Sequence, residues 1–182
     1  MTAHPYGGPP DAEDGMDEWD DQWDGNGSAL RFSGAGARPP QGSTTRRPYA
    51  VRTRRQALED DVARLMNQER VKRELVQLRV EERLRTSSRA HSEDMAAGGF
   101  LSHVSSAGTQ PADRMLAAGY LFPAAENVAV HEPNAMAVVR AWMDSPGRRR
   151  NILNPAFRSI GVGVHLAPES RAAWWTQNFG YV

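Results

Sequence analysis

Acid–base or nucleophilic chemistry in this chain must come from histidine, carboxylate or hydroxyl groups or the single lysine, Lys72, because its 182 residues include no cysteine. Thiol catalysis, disulfide bonds and thiolate metal sites are therefore excluded. Ser102 and Ser145 lie in turn-like settings where serine commonly caps backbone groups, and neither stands in a recognisable nucleophile context. His91 shares a helix-spaced face with Leu84, Ser88 and Met95, which reads as a core or boundary histidine before it reads as a ligand. His131 and His165 carry no pattern that assigns them a role. Arg148, Arg149 and Arg150 form a cationic run that suits either a phosphate group or a solvated helix face.

The scaffold for these groups is confined to the second two-thirds of the chain. Apolar residues make up 40% of the whole but are sparse over 1–57 and dense over 58–182. The zero net charge is a sum of blocks. Eight acids and no Lys or Arg fall between Met1 and Leu30, and seven arginines and no acid between Arg31 and Ala57. From Leu58 onward fourteen acids face fifteen bases, a near-neutral balance that gives no reason to expect a nucleic-acid ligand. Residues 1–57 read as a disordered tail, since so few apolar groups cannot offset chain entropy. Within the tail, the acidic block can pair with the arginine block, or Trp19 and Trp23 can act as a short docking motif.

Residues 58–182 read as one domain. Leu58, Val62, Leu65 and Met66 repeat at helical spacing and predict a first helix to about Arg73. A second helix is predicted from Glu81 to Ala97, stopped by Gly98-Gly99. Pro111–Ala118 predicts a short helix, Ala135 to Asp144 a fourth, and Ser145-Pro146 the start of a fifth. The period then changes to two. Ile160, Val162, Val164 and Leu166 alternate with Gly161, Gly163 and His165, a strand whose glycines imply something packed close on that face. Trp174–Phe179 predicts a second strand, with Trp142, Trp174 and Trp175 in the core. No run approaches the roughly 18 apolar residues of a membrane span. The first thirty residues lack the apolar stretch of an export signal, so the chain as written would remain cytoplasmic.

Several short segments fall in one order: Met66-Asn67-Gln68-Glu69-Arg70, His91-Ser92-Glu93-Asp94-Met95, Phe100-Leu101-Ser102-His103, Ala118-Gly119-Tyr120 and Glu126-Asn127-Val128-Ala129. Trp142–Gly147, Asn151–Pro155, Ile160–Val164 and Trp175–Phe179 complete the series. This series resembles the CAP superfamily, also called SCP-like or pathogenesis-related-1-like, in its bacterial branch. The resemblance implies a three-layer α-β-α sandwich with a cleft. In many members that cleft holds two histidines and two acids and can bind a divalent metal. It also implies secretion, in tension with the absence of an export signal.

Carried over by position, His103 matches the first histidine and Glu126 the first acid. The second acid falls at Ser145, with Asp144 the neighbouring carboxylate, and the second histidine position holds Arg148. Arginine stays protonated and repels a cation, so metal affinity should be weak or nil and no cofactor is expected. Arg148 can instead pair with Glu126, or bind an anionic ligand. Glu126-Asn127 can alternatively hold a loop through backbone hydrogen bonds. The functional expectation is a non-catalytic binding or structural module with a degenerate cleft, its small-molecule, lipid, glycan or protein partner unassigned. The alternative is a hydrolase or peptidase with His103 as general base oriented by Glu126.

Overall fold

The computed structural model describes residues 52–167 and 172–182. The pairing of acidic and arginine blocks and the docking role of Trp19 and Trp23 lie outside those residues. Helix α1 spans Arg54–Val71, starting ahead of Leu58, the first residue of its apolar repeat. A reciprocal cap accounts for the difference. Thr53 accepts from the Gln56 N–H while the Gln56 side chain accepts from the Thr53 N–H, satisfying two helix-end donors at once.

The remaining elements are β1 (Arg79–Val80), α2 (Glu82–Gly98), α3 (Pro111–Ala117), β2 (Pro123–His131), α4 (Ala135–Asp144), α5 (Pro146–Leu153), β3 (Ser159–Leu166) and β4 (Ala173–Gly180). The four strands form one sheet in the order β1-β3-β4-β2. β1 runs parallel to β3, and the other two pairings are antiparallel. Segment β2 carries Glu126-Asn127 in a strand that the sequence pattern does not predict. It opens on Pro123 and is rich in alanine, poor strand formers whose pairing with β4 overrides local preference. Proline is tolerated there because it is the first residue of an edge strand.

Alternation along β3 separates two helical layers. Ile160, Val162 and Val164 join Val62, Met66, Trp142, Ile152, Trp175 and Phe179 in the main core, beneath α1, α4 and α5. Burying each large apolar side chain of this kind contributes about 1.5–3 kcal/mol. Gly161 and Gly163 face the other way, against α2. A Cβ at Gly161 would lie 2.2 Å from the Leu84 carbonyl carbon, and one at Gly163 would lie 2.3 Å from the Arg89 nitrogen. The glycines thus let a helix backbone rest on a strand backbone. The result is the expected three-layer α-β-α sandwich, with α2 and α3 as its second outer layer. Trp142 and Trp175 are wholly buried, whereas Trp174 is half-buried.

Two polar anchors lock α1 into place. Asn67 exchanges two hydrogen bonds with the Leu78 backbone, at 2.9 and 2.8 Å. Arg70 is fully buried and donates to the carbonyls of Val76 at 2.9 Å, Ile152 at 2.7 Å, Asn154 at 2.9 Å and Phe157 at 3.4 Å. Burial, and then the neighbouring Arg158, lowers the proton affinity of Arg70 from its ordinary value. The β3 edge beyond β1 is covered by Glu59 of α1. Its buried carboxylate accepts from the Val164 N–H at 3.4 Å and from Arg89 Nε of α2 at 2.9 Å.

Candidate functional site

Strand β2 carries Glu126 out of the sheet toward α2 and α3, and its carboxylate is wholly removed from solvent. A buried carboxylate is tolerated only when its charge and lone pairs are matched. Two groups meet that need. His103, in the loop after α2, places Nδ1 2.9 Å from Oε1. Arg114 of α3 donates from Nη2 to Oε2 at 2.7 Å and from Nη1 to the Thr109 carbonyl at 2.7 Å. An ionised carboxylate can only accept, so His103 donates to Glu126 from Nδ1.

His91 completes the cluster from α2. Its side chain is fully buried, its Nε2 lies 3.9 Å from Glu126 Oε1, and that nitrogen donates to the Ser102 carbonyl at 2.8 Å. Burial pushes the His91 imidazole below its ordinary value; Glu126 opposes the shift and Arg114 reinforces it. The ring is therefore neutral at neutral pH.

The structure brings His103 and Glu126 together; the other expected site residues lie at the end of α4 and in the first turn of α5. Asp144 is a surface carboxylate with 74% of its side chain exposed, 3.9 Å from Arg140. It borders an open depression of about 540 Å³ with Met143, Pro146, Arg149 and Leu153. Ser145 is half-buried and occupies the N-cap position of α5 without a side-chain capping bond. Arg148 is half-buried, and its carbonyl accepts from Asn127 Nδ2 at 3.2 Å. Asn127 neighbours Glu126 on β2 and so points to the opposite sheet face, where it also bonds Gln177 at 3.0 Å and Asn151 at 3.0 Å.

These residues do not fit a divalent metal. Both Glu126 oxygens are engaged, and one of their partners is a permanent cation 2.7 Å away. Among the described residues, no group of three or more histidines and carboxylates is arranged to share an ion.

The sequence profile described as "CAP: Cysteine-rich secretory protein family" matches residues 63–179. The chain belongs to this family. As a CAP domain it departs from the family's description in having no cysteine. It is 39% identical over 138 residues to "Uncharacterized protein YkwD" of Bacillus subtilis, covering 75% of this chain and 51% of that protein. It is 33% identical over 122 residues to "Uncharacterized membrane protein YlbC" of the same organism, covering 66% of this chain and 34% of that one. The CAP chain thus spans about half or less of the length of these relatives. Among solved structures, an extracellular SCP-domain protein from Bacillus anthracis superposes with a TM-score of 0.65 at 27% identity, over 70% of this chain and 41% of that one. An outer surface protein from Borrelia burgdorferi shares the fold at TM-score 0.58 and 16% identity, over 68% of this chain and 94% of that one.

Two members of the CAP domain's cluster escape a reading by sequence. Arg114 is a charged residue inside a short, largely apolar helix, a position that merits attention because such a cation needs a buried partner. His91 is buried as its helical face implies, but its contact with the His103 loop is made through space.

Proposed function

We propose that this CAP domain is a non-catalytic binding module, with the Glu126 cluster serving to build the cleft rather than to react. One observation carries the reading: the buried carboxylate is neutralised by Arg114 at 2.7 Å while also holding His103 at 2.9 Å. A carboxylate so engaged neither ligates a metal nor activates water. Arginine at position 148, in place of the histidine implied by the family pattern, supports the same reading, because a protonated guanidinium cannot ligate a metal. Relatives described as a membrane protein and as an extracellular protein support action at or outside the cell surface.

A hydrolytic reading draws on the 2.9 Å His103–Glu126 contact, which is base-and-orienter geometry. Calorimetric titration of the full chain with zinc, beside a His103→Ala variant, tests the metal-assisted form of that chemistry, and an ester- and peptide-hydrolysis assay of the same two proteins tests the metal-free form. The binding-module reading expects no saturable zinc heat from the native chain. Tight zinc binding that disappears in His103→Ala overturns it in favour of metal-assisted chemistry.

A further inference from the structure

We infer that His91 and Asp94 are positioning residues, a two-point clasp on α2 that holds the loop on either side of His103 and so sets its imidazole against Glu126. Residues three apart on a helix lie on one face. His91 grips the loop before His103, through Nε2–H to the Ser102 carbonyl at 2.8 Å. Asp94 grips it after His103, accepting from the Ser106 N–H at 2.8 Å and from the Ser106 hydroxyl. The loop between is short and self-bonded. Val104 N–H reaches Ser102 Oγ at 3.0 Å, and Thr109 N–H reaches Ser105 Oγ at 2.9 Å. Its exit is tied to Arg114 through the Thr109 carbonyl, so loop and counter-ion converge on one carboxylate.

The geometry requires a particular proton arrangement. Only the Nε2–H form of His91 can donate to Ser102. Its Nδ1 is then a buried lone pair without a hydrogen-bond partner, 4.0 Å from Asp94 Oδ2. Burial works to raise the Asp94 carboxyl, but the two hydrogen bonds from Ser106, with His91 and Arg114 nearby, hold it below its ordinary value. Asp94 is thus ionised and a strong acceptor. The inference rests on the reading that Glu126 and His103 form the centre of the site, and adds the residues that place His103 there.

The test is proton and nitrogen NMR of the full chain. The His103 Nδ1–H resonance reports the bond to Glu126, and the His91 nitrogen shifts report its tautomer. His91→Leu and Asp94→Ala should each lower protection of the His103 proton at least tenfold while thermal unfolding stays cooperative. His91→Gln, which keeps an N–H near the Nε2 position, should restore protection. Should His91→Leu fail to fold, the partly exposed Asp94 decides the matter alone. Unchanged His103 protection in folded Asp94→Ala, or failure of His91→Gln to outperform His91→Leu, overturns the clasp. Zinc binding by the native chain would instead sink the binding-module reading and leave these NMR outcomes as they are.

Discussion

Arg114 and Glu126 meet at 2.7 Å with the glutamate side chain entirely buried and the arginine side chain 11% exposed. Breaking such a pair from one side strands a charge in a poorly solvated place, at a cost of about 3–5 kcal/mol, whereas removing both partners costs much less. Arg114→Met and Glu126→Gln should therefore each be strongly destabilising. The double variant should lose clearly less than the sum. Urea unfolding of the four proteins measures the coupling.

His91 makes stability depend on pH. Its folded-state value is depressed by burial, with Glu126 from β2, Arg114 from α3, Asp94 from its own helix and the His103 loop facing it. As pH falls through the ordinary imidazole value of about 6.5, the unfolded chain gains a proton that the folded chain refuses. Stability should then drop by at most about 1.4 kcal/mol per pH unit until the folded-state value is reached. His91→Gln should remove that slope, as read from unfolding midpoints between about pH 7 and 5.

Gly163 tests how closely α2 rests on β3. A methyl group there would lie 2.3 Å from backbone atoms of both Ser88 and Arg89, which no side-chain rotation can relieve. Gly163→Ala should cost about 1–3 kcal/mol or more and lower the thermal midpoint by several degrees. Gly108, with φ +79 and open space around its Cβ position, should tolerate alanine sterically but pay for the left-handed backbone.

Arg70 should be hard to replace even by lysine. Its guanidinium serves four carbonyls, those of Ile152 and Phe157 in buried bonds, and each buried acceptor left unpaired costs about 1–3 kcal/mol. Arg70→Met should unfold at markedly lower denaturant than the native chain, with Arg70→Lys between the two.

Residues with a clear period were legible from sequence. β3 occupies Ser159–Leu166 as its alternation predicts, and its glycines contact a helix as their spacing implies. The family series located His103 and Glu126, which do meet. Strand β2 was not legible, because Pro123, the alanines and Asn127 carry weak strand preference and its pairing with β4 is a long-range effect. Arg114 stayed hidden for a related reason: a lone cation in a seven-residue helix has no repeat to betray its partner. Asp144 was placed by adjacency to Ser145, yet the end of α4 turns it outward.

The covering of the β3 edge by Glu59 has a consequence for solutions of this protein at high concentration. Val164 offers an N–H of the kind that recruits a strand from another molecule, and such recruitment seeds aggregation. Here that donor is occupied by a carboxylate that Arg89 also holds. An incoming strand would have to break an ion pair and bury a stripped negative charge before forming its first bond. Glu59 thus acts as a gatekeeper against self-association at this edge.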